Sequence, residues 1–209
     1  ALSSFAGEQS LEALQVVAER YSVSLDNVTS YFSSKGIDLY AVDNVDLFFV
    51  TYTWLSTRYV YGGNSRKGID CSHYSMVLHN DGLNSGLTGN SREQFSKCEV
   101  ISRDELVEGD LVFFRINSSN ITHVGVYLGN NKFTHSTCSK GVIVSDLSEE
   151  YWSRYFYKSL SCLQYAITIV LSARNSSSAL LPILHLKLLK AMALLAWSNI
   201  LFINKNIIS

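Results

Sequence analysis

The sequence predicts an α+β fold, in which an antiparallel sheet carries helices packed on one face. The first observation is a helical period near the start of the chain, where residues 8–21 place Leu11, Leu14 and Ala18 on one face. The second is a change of period after residue 108, where short β-branched and aromatic runs alternate with Gly, Asn and Ser turns. Helices first and strands afterwards are typical of this fold class.

Each predicted element follows from local signals. Ser24 precedes an amphipathic run that ends at Gly36, which predicts a capped second helix. The apolar stretch after Asp43 predicts a third helix, with a strand as the alternative, and the run that begins at Cys71 predicts a fourth. The polar, glycine-containing composition of residues 83–98 predicts a loop with one short helix. The predicted strands span residues 109–115, 122–129, 132–137 and 141–147.

Charged residues are distributed unevenly along the chain. All 18 acidic residues lie in residues 1–150, together with 11 Lys and Arg, whereas residues 151–209 carry six Lys or Arg and no acidic residue. The overall net charge of −1 gives no reason to expect a nucleic-acid partner. The first residues show no basic region followed by an apolar stretch, so no signal peptide is visible and the N-terminus gives no cellular address.

Four cysteines are present, and none forms the CxxC pair that is typical of a metal site. They are too few for a disulfide scaffold in a chain of 209 residues. One or two bridges among Cys98, Cys138 and Cys162 remain open, whereas a bridge through Cys71 would exclude a role as nucleophile.

Cys71 follows a glycine-rich loop and begins a predicted helix. A helix N-terminus and a nearby imidazolium both lower the pKa of a thiol, so Cys71 is placed to be a reactive thiolate. The alternative is a small buried residue, which is the commoner state of an isolated cysteine.

His123 and His135 favour the reactive alternative. The strand at 122–129 alternates, with His123 on the face opposite Val124, and a turn near Gly129 brings His123 opposite or diagonal to His135. One imidazole could then act as a base toward Cys71 while the other orients it. A zinc site is the rival interpretation, but these side chains offer only three ligands, so we expect no metal.

Tyr59 lies 12 residues before Cys71, across a loop that can fold back on the cysteine. Its hydroxyl could help the backbone N–H of Cys71 to hold an oxyanion, or the ring could simply pack. We expect His73 and His79, six positions apart on the fourth helix, to be surface or packing residues.

Four segments together resemble the NlpC family of bacterial cell-wall cysteine peptidases, which have a reduced papain-like fold with the catalytic cysteine at a helix N-terminus. The resemblance covers about residues 45–158 in family order. The segments are RYVYGGNSRKGIDCSHYSM, ISRDELVEGDLVFFR, ITHVGVYLGNNKFTHSTCSKGVIV and, more loosely, EEYWSRYF.

The resemblance implies a role for each matching residue. Cys71 matches the nucleophile, His123 the general base, His135 the residue that orients the base, and Tyr59 a tyrosine that lines the oxyanion site. Asp70 and Ser72 match residues that contact the stem peptide and in some members bind its free amine, and we add Tyr61 to this substrate-binding group. No cofactor is implied.

This chain departs from the family pattern at three positions. His73 stands where glycine commonly follows the Asp-Cys-Ser triplet, Glu108 where proline is usual, and Arg58 where Pro-Tyr is frequent. None of these removes a catalytic group, but His73 could change what fits the cleft.

We therefore expect an N-terminal helical extension at residues 1–42, a catalytic domain at 43–158 and a hydrophobic basic tail at 159–209. The tail has no counterpart in the resemblance, and Lys187 and Lys190 interrupt its most apolar window, so a transmembrane helix is not expected. A helix on a membrane surface, a packed hairpin and a segment that was never selected as protein all remain open.

The expected activity is that of a cysteine endopeptidase or amidase acting on peptidoglycan stem peptides, at the bond between D-glutamate and the diamino acid, in the cell envelope or outside the cell. The alternatives are an acyltransferase that uses the same cysteine and histidine, and a non-catalytic membrane-associated binder.

Overall fold

The computed structural model describes residues 9–162. The helices are α1 (Leu11–Arg20), α2 (Leu25–Ser33), α3 (Val45–Trp54), α4 (Cys71–Val77), α5 (Ser91–Lys97) and α6 (Glu150–Tyr155). The strands are β1 (Asn64–Ser65), β2 (Gly68–Ile69), β3 (Glu99–Ile101), β4 (Leu111–Phe114), β5 (His123–Gly129), β6 (Lys132–Thr137), β7 (Gly141–Asp146) and β8 (Phe156–Ser161). A π-helical turn (Leu78–Gly82) follows α4, and a 3₁₀ turn (Arg103–Glu105) precedes β4.

The main sheet has six strands in the order β3-β8-β4-β5-β6-β7, and every neighbouring pair is antiparallel. Its larger core joins apolar side chains of β4 and β5 to those of α1, α2, α3 and α4. The predicted α+β class and the four predicted strands are therefore confirmed. β3, β8 and the small β1–β2 hairpin were not predicted.

The second face of the sheet is also covered, which the expectation of helices on one face did not include. β4 is buried along its whole length, because Leu111 and Phe113 join the larger core while Val112 and Phe114 join a second one. Trp152 on α6 closes this second core.

The N-terminal helices belong to the same core as the sheet. Ser24 caps α2 through its Oγ, which accepts a hydrogen bond from Asn27 N, and Val28 and Phe32 are fully buried.

The contacts of Glu108 explain one departure from the family pattern. Its carboxylate accepts hydrogen bonds from the backbone N–H groups of Asp43 (3.1 Å) and Asn44 (3.0 Å), at the start of α3.

β8 extends past the predicted end of the catalytic domain. The boundary placed between residues 158 and 159 falls inside this strand, which lies between β3 and β4. Cys162 follows the strand and forms a disulfide with Cys98, whereas Cys138 is free and exposed. The sheet domain therefore extends at least to Cys162.

No helix within residues 9–162 is long and apolar enough to cross a membrane. Residues 163–209 lie outside the described part of the chain, so the expectation of a membrane-surface helix in the tail stays a prediction.

Candidate active site

A cleft of about 530 Å³ opens at the start of α4. One wall comes from the loop before β1 and the other from the beginning of α5. Cys71 lies between these walls. The lining residues are Tyr59, Tyr61, Gly62, Asp70, Cys71, Ser72, His73, Asn90, Ser91, Arg92, Glu93, Ile121 and Thr122.

Cys71 is the first residue of α4, and the carboxylate of Asp70 caps this helix by accepting the N–H of His73 at 2.8 Å. The thiol is buried, and burial raises its pKa from 9.0 to about 11. The backbone N–H of Val124 favours the thiolate and the charge of Asp70 opposes it, but neither outweighs burial. Burial thus favours the protonated thiol, in the opposite direction to the effect that the helix start has on Cys71, and the thiolate stays a prediction.

The strand register brings the two predicted histidines together. Val126 pairs with Thr134 and Tyr127 with Phe133, which makes His123 diagonal to His135 on the same face. Nε2 of His123 and Nδ1 of His135 are 2.8 Å apart, within hydrogen-bond distance.

Aromatic rings enclose this histidine pair. Trp152 stacks on His123 with ring centroids 5.6 Å apart and meets His135 edge-on at 4.5 Å, while Phe133 stacks on His135. Burial lowers the pKa of His123 from 6.5 to about 4, and burial together with the neighbouring ring lowers the pKa of His135 well below its ordinary value. Both imidazoles are therefore neutral near pH 7.

Gly125 makes room for this enclosure on β5. A Cβ atom at this position would lie 2.6 Å from the ring of Phe133, which stacks under His135. A side chain larger than hydrogen would therefore displace the ring that supports the histidine pair.

Ser145 on β7 extends the chain of hydrogen bonds, since its Oγ lies 2.9 Å from Nε2 of His135. If Nε2 of His123 donates to Nδ1 of His135, then Nε2 of His135 carries the other proton and donates to Ser145. This arrangement leaves Nδ1 of His123 as an acceptor.

Tyr59 lies beside the cysteine, as predicted. It forms a β-bridge with Ile69, two residues before Cys71. Burial raises the pKa of its hydroxyl strongly, and the neighbouring thiols of Cys71 and Cys138 raise it further. The hydroxyl therefore keeps its proton, and Cys138 lies within hydrogen-bond reach of it.

The three expected substrate-binding residues differ in exposure. Tyr61 is 91% exposed at the edge of the cleft, whereas Asp70 and Ser72 are each 8% exposed. Ser72 Oγ donates to Asp70 at 2.9 Å. Of the two histidines expected to be surface or packing residues, His79 is buried and His73 lines the cleft.

Gln94 supports the site and was missed in the sequence, as was Ser145. The Gln94 amide is fully buried. Its nitrogen donates to the carbonyls of Ser72 (2.9 Å) and Gly89 (2.8 Å), and its oxygen accepts from Ser75 Oγ (2.8 Å). Gln94 therefore ties the α5 wall of the cleft to the first turn of α4.

The chain belongs to the NlpC/P60 family, whose profile matches residues 56–161, about half of the sequence. The match confirms the predicted resemblance.

Three relatives are similar to this chain. A protein named probable endopeptidase NlpC homolog from Haemophilus influenzae is 42% identical over 106 residues, which cover 51% of this chain and 56% of that protein. The probable endopeptidase NlpC of Escherichia coli is 42% identical over 107 residues (51% and 70%). The Escherichia coli protein named murein DD-endopeptidase MepS/murein LD-carboxypeptidase is 40% identical over 103 residues (49% and 54%). The chain thus spans between about half and 70% of the length of these relatives.

A solved structure supports the fold. A NlpC/P60 family protein from Bacillus cereus gives a TM-score of 0.52 at 22% identity, over 60% of this chain and 43% of that one.

Proposed function

We propose that this chain is a cysteine peptidase that hydrolyses amide bonds in peptidoglycan stem peptides. One observation carries the proposal: a buried cysteine at the start of α4 lies against β5, where His123 is hydrogen-bonded to His135. The printed names of relatives at 40–42% identity, which include a murein endopeptidase, support the same class of substrate.

The proposed reaction begins with both the thiol and the imidazole neutral. Nδ1 of His123 takes the proton of Cys71 as the sulfur attacks the amide carbon, and His135 and Ser145 stabilise the resulting imidazolium through their hydrogen bonds. The backbone N–H of Cys71 and the hydroxyl of Tyr59 donate to the oxyanion. His123 then protonates the leaving amine, and water hydrolyses the thioester.

Two scissile bonds are candidates. The resemblance implies the bond between D-glutamate and the diamino acid, whereas the printed name of the relative MepS favours a bond between two D-centres in cross-linked peptides. The same chemistry at Cys71 serves both, because the choice depends on which part of the peptide the cleft binds.

The disulfide supports a place in the cell envelope or outside the cell. Cys98 and Cys162 are bonded, and such bonds persist in oxidising compartments. Peptidoglycan lies in the same compartments, which is consistent with the proposed substrate.

Mass spectrometry of defined muropeptides, linear and cross-linked, tests the proposal and identifies the bond. We expect wild type to release one pair of products, and Cys71→Ala and His123→Ala to lower kcat/KM by about a thousandfold or more. Ser145→Ala should lose about five- to tenfold, the effect of one hydrogen bond. Full activity in Cys71→Ala would refute the mechanism. Transfer of the acyl group to an added amine, in place of hydrolysis, would favour the acyltransferase alternative.

A further inference from the structure

Arg92 is the only Lys or Arg among the residues that line the cleft. It lies in the first turn of α5, on the wall that Gln94 ties to α4, and it is exposed. Its backbone N–H donates to the side-chain oxygen of Asn90 at 3.0 Å, but its guanidinium makes no hydrogen bond or ion pair with any residue between 9 and 162. The cleft wall therefore carries a permanent positive charge whose N–H donors have no protein partner within that range.

The other arginines between residues 9 and 162 all have a partner in their own chain. Two form ion pairs with carboxylates, and four donate to a backbone carbonyl or stack on an aromatic ring. The pairs are Arg20 with Asp46, Arg154 with Glu150, Arg58 with the Lys67 carbonyl, Arg66 with the Thr53 carbonyl and the Trp54 ring, Arg103 with the Leu147 carbonyl and the Phe156 ring, and Arg115 with the Tyr157 ring. Exposure alone does not account for the difference, because the side chains of Arg20 and Arg154 are 55% and 65% exposed and are nevertheless paired.

Both carboxylates that line the cleft are engaged by backbone donors. Asp70 accepts the N–H of His73 at 2.8 Å, and Glu93 accepts the N–H of Asn90 at 2.9 Å. Neither of them forms an ion pair with Arg92. A guanidinium is a planar fork that matches a carboxylate through two parallel hydrogen bonds. A carboxylate brought by the substrate is therefore the group that Arg92 can bind most strongly.

We propose that Arg92 is a specificity-determining residue, which binds a carboxylate of the substrate peptide and so favours peptides in which that carboxylate is not amidated. A carboxamide offers one neutral acceptor oxygen, and its NH2 group meets the N–H donors of the guanidinium. The inference rests on the proposed function, because it takes a stem peptide as the ligand. Two groups of such a peptide have this chemistry: the carboxylate that D-glutamate keeps when the chain continues through its side chain, and a second carboxylate that the diamino acid can carry.

Three peptides test the inference: one with both carboxylates, one amidated only at D-glutamate and one amidated only at the diamino acid. Dissociation constants are measured by calorimetry with the Cys71→Ala protein, alone and combined with Arg92→Gln, and kcat/KM is measured with the active protein. We expect one of the two amidations to weaken binding by about fivefold, and to have no effect once Arg92→Gln is added. The peptide that shows this loss identifies the carboxylate. Arg92→Lys should keep part of the preference, because it retains the charge and loses the fork.

Lys97→Gln is the matched control, because it removes one positive charge from the same helix outside the cleft. Nζ of Lys97 donates to the carbonyl (2.9 Å) and to the hydroxyl (2.7 Å) of Thr88. This variant should keep the wild-type preference, and an equal loss in Lys97→Gln and Arg92→Gln would overturn the inference.

Equal effects of amidation with and without Arg92→Gln would also overturn the inference, as would the absence of binding for all three peptides. A preference that depends on Arg92, without hydrolysis by the active protein, would contradict the proposed function and leave this inference standing. Hydrolysis that is the same for all three peptides would do the reverse.

Discussion

His123 and His135 lie in an apolar enclosure that keeps both rings uncharged. Trp152 contacts both rings, and Phe133 stacks on His135 with ring centroids 4.5 Å apart. Burial has the same effect on Cys71, where it favours the protonated thiol. Burial thus favours the neutral forms of Cys71 and His123, and in the proposed reaction charge separates when substrate provides an electrophile for the sulfur.

The rate at which iodoacetamide alkylates Cys71 should therefore depend on pH as it does for an ordinary thiol with a raised pKa. Burial raises the pKa of Cys71 to about 11, so the rate constant should stay low at about pH 5 to 7 and rise steeply above about pH 9. The measurement uses Cys138→Ser, which removes the exposed free thiol, with mass spectrometry of the peptide that contains Cys71. A fast, pH-independent phase below about pH 7 would show instead a resting thiolate–imidazolium pair.

The sequence could bring the candidate site residues together but could not show how deeply they are buried. His123 and His135 could be paired because strand alternation and one turn determine the register. Burial of the two histidines depends on Trp152 and Phe133, whose packing no local pattern shows. Ser145 was missed because a serine on an alternating strand carries no distinguishing motif.

At the scale of the elements, α5 and the first turn of α4 form one unit through Gln94. The three hydrogen bonds of this buried amide join Ser72 and Ser75 on α4 to Gly89 before α5, and Glu93 adds a capping box with Asn90 at the start of α5. The wall of the cleft is therefore fixed to the turn that carries Cys71.

Gln94→Met should lower the free energy of unfolding by about 2 to 3 kcal/mol, because it removes three buried hydrogen bonds at nearly constant volume. The Ser72 carbonyl also loses its anchor, so kcat/KM should fall more than that of the control. The control is Ser96→Ala on the same helix, since Ser96 Oγ donates only to the Glu93 carbonyl at the exposed surface. Chemical denaturation measures both variants, and equal midpoints for Gln94→Met and wild type would contradict this role.

Sequence predicted the elements with strong periodicity and missed those without it. α5 was expected near its observed place because polar turn residues flank it. β3 has only three residues, mostly exposed, so it shows no alternation. β8 (Phe156–Ser161) overlaps the start of the predicted tail at residue 159, and the change of composition placed the predicted domain boundary within the strand. Its identity as a strand depends on pairing with β3 and β4, which are distant in sequence.

At the scale of the whole molecule, buried histidines are distributed through the fold. His123 and His135 lie on the sheet, and His79 lies in the π-helical turn, where its Nδ1 is 2.8 Å from Ser85 Oγ. Burial lowers the pKa of His79 and of His123 from 6.5 to about 4. Each such shift lowers the free energy of unfolding by about 3 kcal/mol once the pH has fallen from the ordinary pKa to the lowered one.

These shifts predict that the protein loses stability as pH falls from about 6.5 toward about 4. In that window the histidines of the unfolded chain bind protons, whereas the buried rings remain neutral, so protonation favours unfolding. Asp110 acts in the opposite sense, because burial raises its pKa to about 6 and the folded state then takes up a proton first. Burial raises the pKa of Glu108 as well, but three histidines outweigh these two carboxyls. The free energy of unfolding should therefore be nearly constant between about pH 7 and 8 and fall below pH 7.

Urea denaturation across this pH range measures the effect, and His79→Gln isolates one ring. That variant should lose about a third of the pH dependence, since one of three buried imidazoles no longer titrates. Ser85→Ala is the matched control: it removes the hydrogen-bond partner of His79 and lowers stability at every pH, but it keeps the ring and therefore the slope. An unchanged slope in His79→Gln would mean that the buried ring does not couple protonation to unfolding.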